Sequence, residues 1–160
     1  VRTQLGLPAH LGTLPNTLWT DECFEAITMW QSLEHVHQPL DVLHAAHRLL
    51  TPGGRLIVAV PNFDALASHW FGPHWFGLDL PRHLTHFTPI TLRRMLRRGG
   101  FVGIEMQQER KSSWIRHSAE SAPQPARLIG LLKTRLGSGL AGWYGRLIGR
   151  ADSLIAIAVK

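Results

Sequence analysis

One pattern constrains this chain more than any other: an apolar run, a polar loop, a helix, a glycine-rich turn and a second apolar run. Phe24-Glu25-Ala26-Ile27-Thr28-Met29 carries residues that favour a strand. Trp30, Gln31, Ser32, Leu33, Glu34, His35 and Val36 follow as a loop. Pro39 suits a first helical position, where its missing N–H has no partner to lose. Leu40, Leu43, Ala46, His47 and Leu50 then recur at helical spacing, and Thr51-Pro52-Gly53-Gly54 ends the helix. Leu56-Ile57-Val58-Ala59-Val60 shows no polar alternation, as expected for a strand buried on both faces of a parallel sheet. Together these make a βαβ unit. In open α/β sheets ligands bind outside the carboxyl ends of the strands, so chemistry is expected just after Met29.

The rest of the chain fits around that unit. Val1 to Gly6 reads as the last turn of a helix, and Pro8 to Gly12 as a short strand. From Phe63 to Phe87 periodicity fails. That stretch holds Trp70, Trp75, Phe76, His74, His83 and His86, and an irregular segment of such length is expected to be a lid or a substrate loop. Thr88 and Pro89 open a helix as N-cap and first residue, with Leu92, Met95 and Leu96 as its apolar stripe. Residues 101–106 and 153–159 read as further strands.

Charge is unevenly placed. The net +6 arises almost wholly from residues 110–150, which hold 8 Lys/Arg and one acid. This basic, glycine-punctuated segment is expected to form one or two amphipathic helices. They either cover the site as solvated helices or lie on an anionic membrane surface. No nucleic-acid-binding motif accompanies the charge, so no nucleic-acid partner is expected. No apolar run approaches the ~20 residues of a membrane span. Cys23 is the only cysteine; it excludes an internal disulfide, fits a reducing, cytoplasmic setting and is expected to be a small buried residue.

Several motifs at their spacings carry a family resemblance. They are Leu33-Glu34-His35-Val36, Leu49-Leu50-Thr51-Pro52-Gly53-Gly54, Val60-Pro61-Asn62, Trp75-Phe76-Gly77, Pro81-Arg82-His83-Leu84 and His86-Phe87-Thr88-Pro89. The chain resembles the C-terminal part of class I S-adenosylmethionine-dependent methyltransferases, in the subgroup related to ubiquinone-biosynthesis methyltransferases. The resemblance implies a Rossmann-like α/β sheet in order 3-2-1-4-5-7-6 with strand 7 antiparallel. Residues 8–13, 24–29, 55–60, 101–106 and 153–159 correspond to strands 3 to 7. Strands 1 and 2, with the Gly-rich cofactor loop, have no counterpart, so the resemblance implies an N-terminally truncated domain over 1–160 with strand 4 as an exposed edge.

It also implies S-adenosyl-L-methionine as cofactor and methyl transfer to an oxygen or carbon of a small-molecule or lipid-linked acceptor. The competing expectation is a non-catalytic remnant serving as an interaction module. Thr13, Leu14, Met29, Trp30 and Gln31 are the implied cofactor contacts. Thr13 and Leu14 otherwise only close a strand, and Trp30 is otherwise a large core residue. His35 is a candidate general base, because an oxygen nucleophile must lose a proton, with Glu34 orienting a histidine or capping the next helix. Trp75, Phe76, Arg82, His83 and His86 fall in a substrate-side insert spanning 61–90. No carboxylate or thiolate completes the His44/His47 or the His83/His86 pair in the usual way, so no metal is expected.

Overall fold

The computed structural model describes residue 6 and residues 9–15, 19–123 and 127–160, without the side chains of Arg127 and Leu128. The βαβ unit forms as the pattern requires. Strand β1 (Phe24–Trp30) leads through a single 3-10 turn at Leu33–His35 into helix α1 (Pro39–Leu49). Strand β2 (Leu50–Pro61) then runs parallel to β1, with Ala26 opposite Arg55 and Trp30 opposite Ala59. The expected turn at Thr51-Pro52-Gly53-Gly54 is an irregularity inside β2. Pairing slips between Phe24/Leu50 and Ala26/Arg55, and Gly53 takes the left-handed φ of 76° that an L side chain resists.

After β2 come helix α2 (Leu66–Phe71), a 3-10 turn at Gly72–His74 and helix α3 (Pro89–Arg98). Thr88 caps α3 as expected. Its hydroxyl accepts from the Thr91 N–H at 3.2 Å, and the Thr91 hydroxyl accepts from the Thr88 N–H at 2.8 Å. Strand β3 (Val102–Glu109), helices α4 (Ser112–Ser121), α5 (Arg127–Leu132) and α6 (Arg135–Leu147), and strand β4 (Ser153–Val159) complete the order.

The sheet order is β1-β2-β4-β3, with β4 antiparallel to both neighbours. Leu56, Val58 and Val60 of β2 and Leu154, Ala156 and Ala158 of β4 bury against Leu43 and Ala46 of α1, Leu92 and Leu96 of α3, and Phe101. A second core joins the 61–90 stretch to the 110–150 segment. Ala67, Phe71 and Trp75 pack there with Ile115, Ala119, Ala122 and Leu132.

Three expectations change. Residues 9–13 form no strand; ring contacts from this leading segment run from His10 to Trp19 and from Trp19 to Phe24, at the amino end of β1. Among the described residues β1 is therefore an edge, and only Met29 of its seven residues is buried. Cys23 is exposed, just before the amino end of a strand that is an edge among the described residues. Segment 110–150 forms three helices, since Thr134 starts a new helix by accepting the Gly137 N–H. The helical turn expected at 1–5 lies outside the described residues.

Candidate active site

The carboxyl end of β1 opens into the loop that gathers the chemistry. Gln31 turns the chain with a left-handed φ of 45°, its N–H donating to the Ala59 carbonyl at 2.8 Å. Beyond it, the Glu34 carbonyl accepts from the N–H groups of Leu84 (2.8 Å) and Thr85 (3.2 Å). These two bonds tie the loop after β1 to the stretch between α2 and α3, and so bring His83 beside Glu34 and His35. At the carboxyl end of β2, Asn62 pairs with Phe87 and fixes the other end of the same stretch.

Glu34 is wholly buried, and neither carboxylate oxygen has a hydrogen-bond partner. Burial raises its pKa, and the dipole of its own backbone amide and the neighbouring His35 only partly offset this. His35 is exposed, and its Nδ1–H donates to the Arg82 carbonyl at 2.9 Å. That bond fixes the tautomer and leaves Nε2 as a bare acceptor. The buried His83 donates from Nδ1 to the Gly77 carbonyl at 2.9 Å, and burial lowers its pKa, which favours the neutral ring. Its Nε2 lone pair therefore faces Glu34 Oε1 at 3.9 Å and Asp79 Oδ2 at 3.7 Å, beyond hydrogen-bond distance from both. The rings of His35 and His83 meet edge to face at 4.7 Å. Acceptor atoms thus converge on a small space that a proton or a cation would satisfy. Glu34, His35 and His83 each bring one possible metal-ligand atom to within 4.8 Å of the others.

The remaining expected residues divide. Met29 is buried under the carboxyl end of β1, while Trp30 is 56% exposed and so is not a core residue. Gln31 reaches the Ser153 hydroxyl at 3.4 Å. Thr13 is exposed and Leu14 half-buried, on the segment that carries no strand. Trp75 belongs to the second core, its indole N–H without a partner, whereas Phe76 is exposed and rests on Trp114 and His117. Arg82 forks onto Asp79, with its shortest contact at 2.7 Å. His86 reaches the Leu78 carbonyl at 3.0 Å and stacks near Phe63. His44 and His47 play structural parts, the first on the Arg98 carbonyl and the second edge-on to Phe101.

Asp79 and Phe63 were not singled out in the sequence. Asp79 stands four residues before His83 in a loop with no helical pattern, so only the folded turn reveals their proximity. Its left-handed φ of 40° marks that turn.

A family model described as a methyltransferase domain matches residues 14–106. The chain belongs to that family. Among curated relatives, the ubiquinone biosynthesis O-methyltransferase of Xanthomonas oryzae pv. oryzae (strain PXO99A) is 36% identical over 66 residues, covering 40% of this chain and 28% of that protein. A solved SAM-dependent methyltransferase from Thermotoga maritima, a possible histamine N-methyltransferase, superposes with a TM-score of 0.62 at 17% identity, covering 93% of this chain and 62% of that one. Phosphoethanolamine N-methyltransferase 2 of Haemonchus contortus, solved with S-adenosyl-L-methionine, gives 0.52 at 15% identity, over 88% of this chain and 34% of that one. The chain thus spans less than two thirds of the length of these relatives. The structural likenesses establish a Rossmann-like methyltransferase fold, and the family match covers both β1 and the Glu34–His83 cluster.

Proposed function

We propose that this chain is the acceptor-side part of an S-adenosyl-L-methionine-dependent methyltransferase that acts on an oxygen or carbon of a small-molecule or lipid-linked acceptor. The sheet supports this: with β1, β2, β3 and β4 taken as strands 4, 5, 6 and 7, the order β1-β2-β4-β3 with β4 antiparallel is that half of the family sheet. On this reading strands 1 and 2 and the Gly-rich loop belong upstream of residue 1. The observation that carries the catalytic part is His35, an exposed side chain with Nδ1 held by the Arg82 carbonyl just beyond the carboxyl end of a parallel strand.

The residues around Trp30 fit the cofactor. A half-exposed aromatic side chain stands directly at the strand end. When bound, the cofactor supplies an electrophilic methyl group. The chain's own part is to hold the acceptor in line and receive its proton on His35 Nε2. Glu34 beneath His35 supports the imidazolium that results. Phe76, Arg82 and His86 shape the acceptor side, with Trp75 fixing the insert from within. Thr13 and Leu14 keep their cofactor role on the resemblance alone.

A second reading of the same cluster is a divalent cation held by Glu34, His35 and His83. It is favoured by the two unpartnered Glu34 oxygens and the bare His83 Nε2. His–carboxylate sets of this type suit zinc or manganese.

The first test is calorimetric titration with S-adenosylhomocysteine, using this chain and a version extended upstream in its gene. Binding by the extended version alone supports the reading in full. Micromolar binding by the short chain means that the upstream strands are dispensable. Binding by neither moves the assignment to a non-catalytic, methyltransferase-like interaction module.

A further inference from the structure

We infer that the outer face of α6 is a docking surface for an anionic phospholipid bilayer. The observation behind it is an inversion. Helix α6 buries its small residues, Gly137, Ser138, Gly142 and Gly145, and exposes its large ones. Leu136 is 72% exposed, Leu140 59%, Trp143 55%, Tyr144 48% and Leu147 66%. At 100° per residue these five fall within an arc of roughly 100°, a continuous apolar stripe.

The inward face has no room for larger side chains. A Cβ on Gly137 would meet the Leu131 carbonyl oxygen at 2.2 Å, one on Gly145 the Arg150 carbonyl oxygen at 3.1 Å, and one on Gly142 the Ser112 hydroxyl at 3.2 Å. Rotating the helix to hide its leucines would drive them into that backbone. The apolar stripe is thus fixed outward by the packing beneath it.

Charge selects the occupant. Residues 110–150 contain one acid, Glu120, against eight Lys/Arg. Arg135 and Arg146 lie along one edge of the stripe, both exposed. Arg110, Arg146, Trp143 and Leu147 line a shallow depression of about 690 Å³. Glu109 also lines it, and its carboxylate is paired with Lys111 at 2.8 Å. A leucine face with aromatic side chains, bordered by arginines, matches a helix lying in the headgroup plane, where apolar burial and attraction to anionic lipid act together. No described helix is long and apolar enough to cross a membrane, so α6 would lie on the bilayer.

The inference stands independently of the proposed chemistry. It also adds a geometric consequence. Helices α4 and α5 share the second core with Phe71 and Trp75, so a bilayer under α6 would hold the 61–90 stretch close to lipid.

The test is flotation of the chain with phosphatidylcholine vesicles, with and without phosphatidylglycerol. The chain should rise with the anionic vesicles and bind the neutral ones about tenfold more weakly. The double variant L140S/W143S, altered only at exposed positions, should lose about tenfold in anionic binding while keeping its melting temperature. The pair R110Q/R135Q should lose the preference for anionic lipid. Full binding by L140S/W143S would overturn the assignment of this face, and equal binding to both vesicle types would overturn the anionic specificity. Failure to float, together with a dimer that L140S/W143S disperses, would replace the bilayer with a second copy of this chain.

Discussion

Asp152 offers the sharpest quantitative test of the fold. It sits at the entry to β4, 2% exposed, with one carboxylate oxygen accepting the Lys111 N–H at 2.7 Å. Burial is the main cause that raises its pKa from 3.8 to about 6; the bonds to backbone N–H groups and the Lys111 charge only partly oppose it. Between those pH values the folded chain keeps a proton that the unfolded chain has released. Stability should therefore fall as pH rises through that window and level off above it. The ionised carboxylate is disfavoured in the fold by about 3 kcal/mol at neutral pH, and by roughly half a kcal/mol at pH 4. Asp152→Asn keeps an oxygen for the Lys111 N–H and removes the ionisation. Urea unfolding, followed by tryptophan fluorescence at several pH values from 4 to 7, gives the difference between variant and parent. That difference should shift in favour of Asn by about 2 kcal/mol across the range. A difference that stays flat with pH, or moves the other way, would refute the argument that a charge at this position opposes folding.

Three further outcomes follow from the site and the helices. In the upstream-extended protein, His35→Ala should lower the methyl-transfer rate by about 10²- to 10⁴-fold, with S-adenosylhomocysteine binding unchanged in calorimetry. Titration with Zn²⁺ or Mn²⁺ after chelator treatment should show one site, lost in Glu34→Gln; an unaltered isotherm in that variant would remove the cation reading. Gly137→Ala should lower stability by about 1–3 kcal/mol in thermal melts, because its Cβ has nowhere to go but into the Leu131 backbone.

The sequence made the centre of the fold legible and its margins less so. Leu56 to Val60 could only be an interior strand, since nothing in it would tolerate water on either face. Thr88 and Pro89 announced a helix start through local chemistry alone. Cys23 was misjudged because burial depends on what covers a strand, and β1 has a neighbour only on the β2 side among the described residues. Trp30 left two readings in sequence, a border of the cofactor site or a large core residue, and its 56% exposure at the end of the strand removes the second. Glu34 and His35 stood together in sequence, but His83 reaches them through two backbone bonds to the Glu34 carbonyl, which no periodicity encodes. That is why a carboxylate beside a loop histidine was invisible in the spacing of His83 and His86. In α6 the leucines recur at helical spacing in the sequence. Their outward direction came from the glycines opposite, whose role depends on how closely another backbone approaches.

The position of β4 has a consequence for how the chain is made. It comes later in sequence than both strands it separates, yet it supplies every hydrogen bond that joins β2 to β3. During synthesis β1, α1 and β2 can associate as they emerge, while β3 waits with no strand beside it. The sheet is a two-part structure until residues 153–159 slide between the halves. A chain lacking this segment would leave the facing edges of β2 and β3 without their shared partner and open to pairing with another chain.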